Sequence, residues 1–307
     1  MKAAMTDGVS LPQEILTEVL SRLPVKSLCR FKCVSPSWNT LISHPHFVKT
    51  HLNRTNALNP KNLHQSDIAI SSSLSSLYFI DFGDVKPTAT KIDIPMTEQP
   101  AARKRVKVWG SCDGLLLVSY NHTFDFFLLN PSTREGKKLL APPLLNNPVP
   151  TRRFSCGMGY DSSSDDYIVV MLSCFNTGSA EINSSMVDVY SLKTNAWRST
   201  QQTQYVVVGK SSFFNAKLHW LAAKNYDSPY QIICFDAHFD KFEEVPMPEE
   251  PIRSGIDNNV GLGVLDGRLC LSHWDCPRTN VEVSVMKEYG VKKSWTILFT
   301  VSDFDRY

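Results

Sequence analysis

The chain has 307 residues, with 32 Lys+Arg against 30 Asp+Glu, 42% hydrophobic residues and 10% aromatics. That length exceeds one small core and predicts two domains, and the apolar content excludes wholesale disorder. A formal net charge of +2 supplies no global electrostatic case for nucleic acid or membrane, and neither is an expected partner.

The N-terminal residues lack the apolar core of a secretory signal. Apolar runs such as Gly114-Leu-Leu-Leu-Val118 fall far short of the roughly 18 to 20 residues of a membrane span. The eight cysteines are scattered without a Cys-x-x-Cys pair, which fits free thiols in a reducing compartment. The expected location is the cytoplasm, the nucleus or both.

Residues 11–52 carry a helical pattern. Ile15, Leu16, Val19, Leu20 and Leu23 make a wide apolar stripe, with Leu11-Pro12 at its start and Leu23-Pro24 at its end. A second helix holds Val25, Leu28, Cys29, Phe31 and Cys33. Ser35-Pro36 reads as an N-cap and N1 proline for a third helix bearing Trp38, Leu41 and Ile42. Three short helices cannot hide this much apolar surface among themselves. The module is therefore either a subdomain docked on the rest of the chain or one that binds a partner.

Leu11-Pro12-x-Glu14-Ile15-Leu16-x-Glu18-Val19-Leu20-Ser21-Arg22-Leu23-Pro24, followed by Leu28, Arg30-Phe31-Lys32-Cys33-Val34-Ser35 and Ser37-Trp38, resembles a plant-type F-box. Pro36 departs from the family, which more often has a polar residue there. The resemblance implies binding to the Skp adaptor of a cullin-RING ubiquitin ligase. Its contacts, carried across, are Leu11, Pro12, Ile15, Leu16, Leu23, Pro24, Leu28, Val34, Trp38 and Ile42, some of which must instead form the module's own core. The module is placed at residues 8–52.

Residues 53–76, rich in Asn and Ser, read as a linker. Residues 1–67 hold eight basic and four acidic residues and the remainder 24 and 26, so a slightly basic module precedes a slightly acidic body.

From residue 77 the pattern turns to period two and repeats. Asp113, Asp165, Asn215 and Asp266 open turn-then-strand segments 52, 50 and 51 residues apart. Each places apolar residues at +3 and +5: Leu116/Val118, Ile168/Val170, Leu218/Trp220 and Leu269/Leu271. A second recurring feature is a hairpin, seen at Leu128–Arg134, Val189–Trp197, Cys234–Phe242 and Val285–Trp295, with an earlier one at Tyr78–Thr88. Units of about 50 residues predict a kelch-like β-propeller over 77–307, with a large β-sandwich as the alternative. Ser111-Cys-Asp-Gly-Leu-Leu, Asn130-Pro-Ser-Thr-Arg, Lys217-Leu-His-Trp-Leu and Ile233-Cys-Phe-Asp are similar to the plant F-box-associated interaction domain, which implies recruitment of a protein substrate.

Catalytic motifs are missing: no Gly-x-Ser-x-Gly, Walker loop or His-Glu-x-x-His is present. Cys29 and Cys33 with His44 and His46 invite a zinc reading, but i, i+4 positions on an apolar helix face favour plain burial. Asp165-Asp166 and Glu243-Glu244 are strand neighbours, which point to opposite faces and read as solvated turn charges rather than an acid/base pair. The run Arg103-Lys-Arg-Val-Lys107 reads either as a nuclear-import signal or as a basic loop before a strand.

The expectation is thus an α+β multidomain chain: a three-helix F-box, then an all-β kelch-like propeller. It is a non-catalytic adaptor without cofactor or metal. The alternatives are a propeller enzyme and an F-box competitor that recruits nothing. At about 50 residues per unit, the 231 positions from 77 onward hold fewer than five units, so the ring is expected to be incomplete at its C-terminal end, with an exposed strand edge prone to aggregation.

Overall fold

The computed structural model describes residues 12–58, 68–71, 77–81, 88–92, 106–120, 125–143, 151–175, 184–224, 228–248, 260–274 and 280–302. The chain divides into two compact units, Met1–Leu63 and His64–Tyr307.

In the first unit, Pro12 caps α1 (Gln13–Leu20) from an extended conformation, and Pro24 does the same for α2 (Val25–Phe31). Proline suits these positions because a first-turn N–H has no intrahelical acceptor. Helix α3 (Pro36–Ser43) starts as expected, with the Ser35 hydroxyl accepting from the Trp38 N–H at 3.2 Å. Leu20, Leu28, Ile42 and Phe47 form the buried centre, with Leu16, Leu23, Phe31, Trp38 and Leu41 packed around it.

A fourth helix follows the expected three. Helix α4 (Pro45–Leu58) crosses the boundary placed at residue 53. Its second half presents no apolar stripe, which is why Asn53-Arg-Thr-Asn-Ala reads as linker. Polar contacts hold it instead. Arg54 donates to both Glu18 carboxylate oxygens at 2.8 and 2.7 Å and to the buried Ser21 hydroxyl at 2.8 Å. A His51 ring nitrogen lies 2.9 Å from the Leu23 carbonyl. These Arg54 contacts, joined by Arg22, lower the Glu18 pKa to about 2.

The second unit consists of five antiparallel sheets in chain order. The first has three strands: β1 (Ile68–Ser71), which also falls inside the expected linker, β2 (Leu77–Asp81) and β3 (Thr88–Ile92). The other four have four strands each. They are β4 (Val106–Cys112) to β7 (Glu135–Lys138), and β8 (Thr151–Asp161) to β11 (Ala196–Ser199). Then come β12 (Val206–Phe214) to β15 (Lys241–Val245), and β16 (Val260–Leu265) to β19 (Trp295–Ser302). The buried clusters lie between successive sheets: Leu77 with Val118 and Phe127, Trp109 with Met158 and Tyr190, Val170 with Trp220 and Ile233, Leu221 with Leu269 and Met286. Neighbouring sheets therefore stack face to face, as in a propeller, and the first strands β1, β4, β8, β12 and β16 contact one another in that order.

The repeated turns have the expected chemistry. Asp113, Asp165, Asn215 and Asp266 all adopt positive φ, between 49° and 53°, where Asn and Asp are better tolerated than most side chains. The hairpins are also in place. Tyr190 faces Trp197, Phe235 faces Phe242 and Met286 faces Trp295 directly across the third and fourth strands. The extra two residues of the last hairpin fall around a short 3-10 turn at Lys292–Ser294. Trp197 and Trp295 each reach back to the preceding sheet's exit, donating to the Leu140 and Pro246 carbonyls at 2.9 and 2.8 Å.

The outermost strands differ in character. Strands β7 (EGKK), β11 (AWRS) and β15 (KFEEV) are mostly polar, whereas β19 exposes Ile297, Leu298, Phe299 and Val301. No helix among the described residues is long and apolar enough to cross a membrane.

Candidate protein-interaction sites

The helical module sorts the ten expected contact residues by burial. Leu28 and Ile42 are core, 5% and 4% exposed. Leu16, Leu23 and Trp38 are half-buried against that core, Trp38 edge-on to Phe31 at 5.5 Å. Pro12 and Pro24 are exposed, and Ile15 and Val34 are 51% and 61% exposed. Leu11 lies outside the described residues.

Two exposed apolar residues stand outside that set: Val19 at 52% and Val48 at 53%. Val19 follows Ile15 by one helical turn, so the two share a face of α1, and i, i+4 spacing was the signal that marks it. Val48 lay in α4, whose apolar pattern is too sparse to reveal its outer face. A module of this size that leaves four large aliphatic side chains half or more exposed has surface suited to covering by another chain.

The residues that invite a zinc reading lie on α2, in the turn after it and around the start of α4. Cys29 is half-buried, and Cys33 is exposed in the turn after α2 rather than buried as expected. His44 and His46 are both exposed, on the far side of α3 in sequence. Among the described residues no group of three or more His, Cys, Asp and Glu could hold a metal ion.

The β-domain turn tips form an open cleft of about 290 Å³, lined by Asp161, Ser163, Asn215, Lys217, Asp236 and Phe239 among others. Its cation is already neutralised: the Lys217 ammonium lies 2.5 Å from Glu243 and 3.3 Å from Asp236, which raise its pKa. The adjacent carboxylates are structural. Asp166 is buried, contrary to the expectation of a solvated charge, because it accepts from the Ser191 hydroxyl and from the Lys193 N–H. Asp165 accepts from Tyr160, and Glu244 from Tyr205. Each of these three carboxylates is occupied by a hydroxyl, which is a fold-stabilising role rather than acid/base chemistry.

The basic run at 103–107 ends inside β4. Residues 103–105 lie outside the described residues, while Lys107 sits with its ammonium 3.5 Å from the centre of the Trp109 ring.

Comparison with known proteins agrees with both halves. Residues 9–50 match the model of the F-box domain, and residues 67–307 match the model of the F-box associated beta propeller domain. The chain is 32% identical to F-box protein CPR1 of Arabidopsis thaliana over 95% of its own length and 73% of that protein's. It is 31% identical to an F-box/kelch-repeat protein of the same plant, over 97% of this chain and 82% of that one. Among solved structures, a six-bladed fungal lectin from Aleuria aurantia aligns over 79% of this chain and 80% of its own, at 11% identity and a TM-score of 0.41. With the helical module matched as an F-box and the stacked sheets as its associated propeller, the chain belongs to the plant F-box proteins that carry a C-terminal F-box-associated β-propeller domain.

Proposed function

We propose that this protein is the substrate-recognition subunit of a Skp-cullin-F-box ubiquitin ligase. The helical module docks on the Skp adaptor, and the β-domain holds a target protein for ubiquitination and proteasomal degradation. The observation that carries the reading is the half-exposed aliphatic set Ile15, Val19, Val34 and Val48 on a module matched as an F-box. The chain itself makes and breaks no bond in this scheme. It raises the local concentration of a target lysine near the conjugating enzyme, which converts a bimolecular encounter into a tethered one. The ligase reading places it in the cytoplasm, the nucleus or both.

Two measurements test this. Co-purification with the Skp adaptor is expected for the wild type and lost on Ile15→Glu with Val34→Asp; unchanged binding sinks the docking half. Proximity labelling from the β-domain, with and without proteasome inhibition, is expected to enrich partners that depend on residues 67–307. An F-box chain that binds the adaptor but enriches none is a competitor instead.

A further inference from the structure

We draw no further inference here: the strongest candidate, the apolar outer strand β19 with Ile297, Leu298, Phe299 and Val301 exposed at the end of the last sheet, carries nothing because nothing in the structure shows what covers it.

Discussion

Acidification acts on the β-domain through a buried imidazole. His219 of β13 (Lys217–Ala223) is fully buried between Phe214 and Tyr289. Its Nδ1 lies 3.1 Å from the Lys217 carbonyl, which can only accept, so Nδ1 carries the proton and Nε2 accepts from the Tyr289 hydroxyl at 2.8 Å. Burial, reinforced by the Lys217 charge, lowers its pKa to about 4. The unfolded chain takes up that proton near 6.5. Between those values the unfolded state binds more protons than the folded one. This contribution is therefore complete above about pH 6.5 and is lost as pH falls toward 4. A shift of about 2.5 at roughly 1.4 kcal/mol each amounts to about 3 kcal/mol, large beside a typical total of 5 to 15. Urea unfolding at pH 7.5 and 4.5 checks it, with His219→Gln as reference because a carboxamide can donate to Lys217 and accept from Tyr289. The wild type is expected to lose about 2 to 3 kcal/mol more than the variant over that interval. Equal losses in the two proteins would refute the reasoning.

Other consequences follow from packing. Gly157→Ala drives a methyl into Ser211 and Leu218 and is expected to cost about 1 to 3 kcal/mol in thermal or urea unfolding. Ser211→Gly in that background removes the two closest atoms and is expected to recover part of the loss; no recovery would place the clash elsewhere. Arg54→Ala is expected to lower the thermal midpoint of the helical module more at pH 7 than at pH 2, because the lowered Glu18 pKa means the pair contributes above the ordinary Glu range and is lost on acidification. Phe299→Lys on the apolar edge β19 is expected to raise solubility without moving the midpoint, checked by light scattering; unchanged aggregation would show that the edge is not the sticky element.

Much of the fold was legible because its signals are local. An Asx residue at a tight turn specifies positive φ by itself, so Asp113, Asp165, Asn215 and Asp266 marked four sheets at their true spacing. Ser35-Pro36 announced α3 for the same kind of reason. What escaped depends on partners distant in sequence. The end of α4 is held by Arg54 reaching Glu18, 36 residues away, so its polar sequence looks like linker. Strand β1 is four residues long, in a Ser-rich stretch, and exists by pairing with β2. The same limit applies to function. The motif that resembles an F-box names Leu28 and Ile42 beside Ile15 and Val34, but only packing separates the buried pair from the exposed one.

The most direct test of the central claim is the affinity of the purified chain for the Skp adaptor, measured by calorimetry for the wild type, Ile15→Glu, Val34→Asp and Val48→Ala. Covering the exposed half of an aliphatic side chain is worth about 1 to 1.5 kcal/mol, so a lost contact costs roughly tenfold and an introduced charge more. Tight wild-type binding that weakens at least tenfold in the two charge variants, with helical content unchanged, is the predicted result. Wild-type protein that does not bind the adaptor, or charge variants that bind as well as the wild type, would contradict it.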